Sequence, residues 1–238
     1  MKNEVLACDV RDTLSQFRNP QKAEILSRFF KTGKGQYGEG DVMWGIPVPQ
    51  TRLVVKETGA IALSEIAHLI DDPVHEVRLC GFLLLVHHYA KAKKEEQKKE
   101  IVDFYLANAR KANNWDLVDL SAPKILGLWL RDKDKTILYR LADSDCLWEQ
   151  RIALVSNWTL IRVGQYEDLL NLCTKLIDHP HDLIRKALGW MLREVGKKDE
   201  RLLTAYLDEY ALRLSRTSLR YAIERLSADK RSYYLSLK

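Results

Sequence analysis

Apolar residues recur at spacings of three and four along almost the whole chain. Val5, Leu6, Val10, Leu14 and Phe17 form one stripe. Ile101, Phe104, Tyr105 and Ala109 form a second, and Leu202, Leu203, Tyr206, Leu207 and Tyr210 a third. This is the period of a helix buried along one face. The Val-, Ile- and Thr-rich alternation of strands is absent. Breakers separate the stripes: Asn19-Pro20, residues 31–50, Asp72-Pro73, Asn113-Asn114, Asp132 to Lys135, Asp143 to Asp145 and His179-Pro180. The pattern predicts about ten to thirteen helices and essentially no strand, an all-α chain.

Three of the breakers open segments that align without gaps. They run from Asp72 through Arg78 to Cys80, from Asp145 through Arg151 to Ala153, and from His179 through Arg185 to Ala187. Each has a turn residue, an arginine six positions later and a small residue two after that. Such a register marks HEAT-like helical pairs: the turn starts the second helix and the small residue lets neighbouring helices approach. Arg151 and Arg185 are 34 residues apart, whereas Arg78 and Arg151 are 73 apart, so one repeat should lie between them. Asn113 to Ser121 fills the gap, with Asp119 in the arginine position. Stacked repeats would set Arg78, Asp119, Arg151 and Arg185 in a ladder, with rungs roughly 10 Å apart. For Arg78 and Arg185 both a pairing role within the repeats and a role facing a ligand stay open. Asp119 is different. A carboxylate where its siblings carry arginine, four residues after Trp115 and therefore on the same helix face, suits a cationic or developing-cation substrate. Trp190 follows Arg185 in its own helix.

Composition narrows the class. The chain has 238 residues, 46% apolar and 30% charged, which fits one globular domain over 1–238 and excludes a disordered one. Its longest apolar run, Phe82 to Val86, is far too short to span a bilayer, and Asp9, Arg11 and Asp12 interrupt any leader-like core. A cytoplasmic location is expected. Cys8, Cys80, Cys146 and Cys173 form no CxxC pair, so reduced thiols are expected. The net charge of +5 permits a nucleic-acid partner without requiring one. The Gly33–Gly40 stretch contains GxGxxG, but it follows a helical stripe and leads into Trp44-Gly45-Ile46-Pro47, outside the βαβ setting that gives the motif meaning. It is expected to be a surface loop, or a basic loop whose Lys34 approaches a phosphate backbone. His87-His88 has no ligand partner at metal spacing and is expected at the rim of the core. The cations Arg213, Arg216, Arg220, Arg225, Lys230 and Arg231 form either a phosphate-contacting edge or a solubilising surface.

Asn114-Trp115-Asp116-Leu117-Val118-Asp119, Leu147-Trp148-Glu149-Gln150-Arg151-Ile152-Ala153-Leu154 and Ile184 to Glu194 together resemble the AlkD-type DNA alkylation repair family. So does Gly45-Ile46-Pro47-Val48-Pro49 ahead of a helix near Arg52. The resemblance implies a right-handed α-solenoid of HEAT-like repeats with a concave basic face. It implies a monomer that acts on double-stranded DNA carrying alkylated bases, a DNA glycosylase excising N3- and N7-alkylated purines without metal or cofactor. By motif match the catalytic set is Asp119, Trp115, Trp190 and Arg151, with Arg193, Arg52, Lys34, Arg78 and Arg185 as DNA contacts. Two departures stand out: Asn114 replaces a frequent second aromatic, and the glycine-rich loop lengthens an early connection. A non-catalytic binder of branched or damaged DNA on the same scaffold is the alternative.

Overall fold

The computed structural model describes residues 4–237, and among these the chain is helical with no strand beyond a single bridge between Val42 and Val74. The chain divides into two compact units, Met1–Ser121 and Ala122–Lys238.

The first unit contains α1 (Ala7–Ser15), α2 (Pro20–Phe29), α3 (Val48–Thr58), α4 (Leu63–Ile70), α5 (His75–Lys91), α6 (Glu95–Ala107) and α7 (Trp115–Ser121). Helix α5 is its centre. The run Leu79 to Leu85 is buried on every side, so this helix lacks a solvent face over its first three turns. A helix apolar all round must be enclosed, and α3, α4, α6 and α7 pack against it. The second unit contains α8 (Leu126–Trp129), α9 (Thr136–Ala142), α10 (Leu147–Val155), α11 (Asn157–Ile161), α12 (Glu167–Lys175), α13 (Asp182–Gly196), α14 (Glu200–Tyr210), α15 (Arg216–Ala222) and α16 (Ala228–Ser236). Here α13 is central, packed against α10, α11, α12, α14 and α15. No helix among the described residues is long and apolar enough to cross a membrane.

The helices outnumber the stripes because some stripes are cut. Between α10 and α11, Ser156 stays helical, but the Asn157 side-chain amide donates to the Ala153 carbonyl at 2.7 Å. That local bond competes with the backbone ladder and interrupts what the apolar period reads as one helix.

The repeat register has a physical explanation. The small residues Cys80, Ser121, Ala153 and Ala187 are all fully buried. The arginines clamp turns. Arg78 donates through a guanidinium nitrogen to the Asp72 carbonyl at 2.8 Å, and Arg185 donates through Nε to the His179 carbonyl at 2.9 Å. In both cases the arginine reaches back six residues to the turn that precedes its helix. The helices start two or three residues after each turn residue, at His75, Trp115, Leu147 and Asp182.

Close approach in the second unit depends on Gly189 in α13. A Cβ there would lie 2.4 Å from the Ser218 carbonyl oxygen and 2.6 Å from the Tyr221 Cβ. Gly189→Ala therefore forces α13 and α15 apart, and it should cost about 1–3 kcal/mol. Thermal unfolding should show a fall in Tm of several degrees.

Candidate functional site around Trp115 and Asp119

Helix α7 is short and mostly enclosed. Asp116, Leu117, Val118 and Ser121 are buried, which leaves Trp115, Asp119 and Leu120 half-exposed, with Trp115 and Asp119 one turn apart on a common face. Tyr105 of α6 fixes the far end of α7: its hydroxyl meets Ser121 Oγ at 3.1 Å, and Ser121 also donates to the Leu117 carbonyl. Burial, with Asp119 adding to it, pushes the Tyr105 hydroxyl well above its ordinary range, so it stays protonated.

The Trp115 indole is part of an aromatic stack. It lies on Phe30, with ring centres 5.2 Å apart and planes 28° apart, and meets Phe29 edge-on at 5.6 Å. Behind Phe30 lies the His75 imidazole, at 4.7 Å. The order is Trp115, Phe30, His75, from the half-exposed face inward. His75 is 1% exposed, and its two ring nitrogens address two carboxylates: Nε2 is 2.9 Å from Asp116 Oδ2 and Nδ1 is 3.4 Å from Asp41 Oδ2. Asp41 also accepts from Arg78 at 2.6 Å and from Asn113 Nδ2 at 2.8 Å, while Arg78 Nε donates to Asn113 Oδ1. Burial alone would lower the His75 pKa, but Asp116 and Asp41 overcome it and raise the pKa to about 9. Burial would raise the Asp41 pKa, and the bonds from His75, Arg78 and Asn113 bring it below the usual carboxylate value. Two cations and two carboxylates thus share one enclosed volume with no net charge.

The glycine-rich segment builds this cluster rather than cradling a phosphate. Lys31, at φ +56°, closes α2, and the Thr32 N–H reaches back to the Ser27 carbonyl in a Schellman-type turn. The Gly35 N–H donates to Glu39 and the Gly33 N–H to Gln36, so amides that could meet a phosphate are engaged within the loop. The segment then delivers Asp41 to His75 and Arg78, and Val42 pairs with the Pro73–His75 backbone. Residues 44–46 donate three backbone N–H groups at 2.7–3.1 Å to the carboxylate of Glu76, itself 1% exposed.

The same segment explains Asn114. That residue is fully buried, accepts from the Trp115 N–H at 2.9 Å, and directs its amide at the Phe30 carbonyl at 3.5 Å. A Cβ on Gly38 would stand 2.6 Å from the Phe30 carbonyl and 3.3 Å from the Asn114 amide. The Gly38 backbone thus packs closely over the Asn114 side chain.

The remaining sequence-derived residues fall as follows. Lys34 in the loop and Arg52 on α3 are exposed. Arg78 is 6% exposed, with its guanidinium nitrogens engaged by Asp41, Asn113 and the Asp72 carbonyl, so it clamps the turn before α5 from within. In the second unit, Arg151 on α10 is 5% exposed and donates to the Leu183 carbonyl at 2.7 Å. Arg185 on α13 is half-buried and holds its turn. Trp190 is half-buried on α13, and Arg193, one turn before the end of α13, pairs with Glu224. Of the terminal cations, Arg213 pairs with Asp178, Arg225 with Glu224 and Lys230 with Glu200. His88 meets the Gly59 carbonyl at the rim of α5, and no cluster of three or more His, Cys, Asp or Glu suited to a metal occurs among the described residues. The thiols are free, with Cys80 and Cys173 buried, Cys146 half-buried and Cys8 exposed.

Sequence reasoning missed Phe30, Asp41, His75 and Asp116. The signal was present in His75-Glu76 at the head of the helix that carries the longest apolar run, Phe82 to Val86, since charged groups at a buried helix start need partners. Those partners lie 34 and 41 positions away, beyond any local spacing rule.

This chain belongs to the DNA alkylation repair enzyme family, whose description fits residues 10–226. A solved structure titled as a predicted DNA alkylation repair enzyme from Enterococcus faecalis is 21% identical. It aligns over 89% of this chain and 97% of its own with a TM-score of 0.67, which establishes a shared fold. No curated protein matches the chain.

The raised pKa of His75 makes stability pH-dependent in a defined direction. The protonated ring contributes fully below the unfolded value of 6.5, and the contribution is lost as pH rises through about 9. The span corresponds to about 3 kcal/mol. Urea midpoints should fall between pH 7 and 10 in the natural protein. In His75→Gln the midpoint should be lower at pH 7 and lack that fall; parallel curves for the two proteins would remove His75 as the cause.

Proposed function

We propose that this protein is a DNA glycosylase that removes N3- and N7-alkylated purines from duplex DNA. The observation that carries the reading is the pairing on α7: a half-exposed carboxylate, Asp119, one turn from a half-exposed indole, Trp115, that is braced from behind by Phe30. Family membership makes DNA alkylation damage the context. The helical pairs within each unit and their turn-clamping arginines support the HEAT-like repeat reading.

The chemistry follows from the substrate. An N3- or N7-alkylated purine carries a positive charge and departs as a neutral base, so the leaving group needs no acid and the reaction asks for no cofactor. The barrier lies in the deoxyribose, which gains oxocarbenium character as the C1′–N bond breaks. Asp119 stabilises that charge and orients the attacking water. Trp115 offers the face of its indole to the cationic nucleotide, and Trp190 carries the same role by motif match. Arg151 belongs to the set by the same match, and its bond to the Leu183 carbonyl ties it to the start of α13. Lys34, Arg52, Arg185 and Arg193 are the phosphate contacts in this reading, and Arg78 is left to the scaffold.

The test is single-turnover release of 7-methylguanine from a duplex carrying one such lesion. Asp119→Asn should leave circular dichroism and duplex affinity near those of the natural protein, and should slow release by roughly 10²-fold or more. Equal rates from two equally folded proteins would remove Asp119 from the chemistry. No release by the natural protein, with retained binding to damaged or branched duplex, would establish the non-catalytic binder instead.

Binding to unmodified duplex should be weak and salt-sensitive, with log affinity falling against log salt by about 0.9 per phosphate contacted. Lys34→Ala and Arg52→Ala should each reduce that slope by about one contact in a titration between low and physiological salt. An unchanged slope removes the residue concerned from the interface.

A further inference from the structure

The geometry points to His75 as a positioning residue: we infer that its buried imidazole ring, tied to the glycine-rich loop through Asp41 and to α7 through Asp116, sets the angle and depth of the Trp115 ring through the intervening Phe30. In its consequence for catalysis the inference rests on the glycosylase reading; as a statement about Trp115 it stands apart from it.

Three observations carry it. First, Asp116 immediately follows Trp115 in α7, so the 2.9 Å contact from His75 Nε2 to Asp116 Oδ2 fixes the first turn of the helix that bears Trp115 and Asp119. Asp116 Oδ1 in turn accepts from the Leu117 N–H at 3.0 Å, which limits rotation of the carboxylate. Second, the Phe30 ring is held on both faces, by His75 at 4.7 Å and by Trp115 at 5.2 Å, with tilts of 33° and 28°. A displacement of the imidazole is passed to the indole through one rigid ring. Third, Phe30 and Asp41 flank the glycine-rich segment, whose amides are engaged internally and whose Gly38 backbone lies against Asn114, the residue before Trp115. The loop thus meets the Trp115 position from two sides without itself presenting a phosphate cradle.

The charges facing His75 are Asp41 from the loop, Asp116 from α7 and Arg78 from its own helix. Its neighbour Glu76 faces the Trp44–Ile46 amides. Loss of the His75 proton leaves two carboxylates opposite Arg78 alone and removes a donor from one of them. The cluster then must open or rearrange, and the first turn of α7 moves with it. An aromatic ring that contacts a reacting nucleotide must be held closely, because a misplacement of about 1 Å costs on the order of 10²-fold in rate.

The full chain labelled with 5-fluorotryptophan provides a test independent of catalysis. The Trp115 fluorine resonance is identified by its disappearance in Trp115→Phe. In the natural protein it should shift as pH rises from 7 to 10, with a midpoint above 8. In His75→Gln it should start from a different position and no longer titrate in that range. Single-turnover release of 7-methylguanine by His75→Gln should fall about tenfold at pH 7.5, with affinity for unmodified duplex within about twofold. Should His75→Gln fail to fold, Asp41→Asn, which keeps the side-chain shape and removes one charge facing the ring, should move the same resonance and lower the midpoint. A Trp115 resonance that ignores both pH and these substitutions in folded protein overturns the inference, whatever the activity. A resonance that behaves as expected in a protein that releases no base leaves the positioning of Trp115 standing and overturns the glycosylase reading.

Discussion

Charge enclosed away from water is the constraint around which the first unit is organised. His75, Arg78, Asp41 and Asp116 lie within one nearly dry volume, and each alone would be expensive to desolvate. They are tolerable only together, each paired with or hydrogen-bonded to a neighbour. That requirement draws in the chain on either side: a loop must bring Asp41 inward, α7 must begin where Asp116 can reach the imidazole, and Asn113 must bridge Asp41 and Arg78. Glu76 repeats the logic with backbone amides in place of cations. Removing one member would leave an uncompensated charge, a change that costs on the order of 3–5 kcal/mol in buried pairs.

The half-exposed face of α7 derives its order from this enclosed side. Trp115 and Asp119 are offered outward on a helix too short to hold itself, since isolated helices of two turns are not stable in water. Their placement comes from Tyr105 and Ser121 at one end and from Asp116, Asn114 and the Phe30 ring at the other. Behind that face, His75 and Arg78 are paired with Asp41 and Asp116. The glycine-rich loop, an oddity in the linear sequence, is the part that makes this pairing possible.

The repeat arginines illustrate how one motif can serve two ends. Arg78 and Arg185 reach back six residues to donate to a carbonyl at the preceding turn. Arg151 reaches forward to the Leu183 carbonyl at the start of α13, so it joins one helical pair to the next. Asp119 occupies the equivalent position without a guanidinium to perform either task.

Much of the architecture was legible in the chain itself. The apolar period specified helices, Asn113, Asp145 and His179 stand just ahead of helix starts, and the small residues Cys80, Ser121, Ala153 and Ala187, aligned by the register, are all buried. Trp115 and Asp119 could be paired from their spacing of four alone. These are local relations, set by helix geometry over a few residues. What the tertiary structure decided is different in kind. That Asp41 meets His75 across 34 positions, that Phe30 separates the imidazole from Trp115, that Asn114 packs beneath Gly38, and that Arg78 faces inward all depend on which surfaces close upon one another. Desolvation and ring stacking act between atoms brought together by the fold, and no spacing along the chain records them.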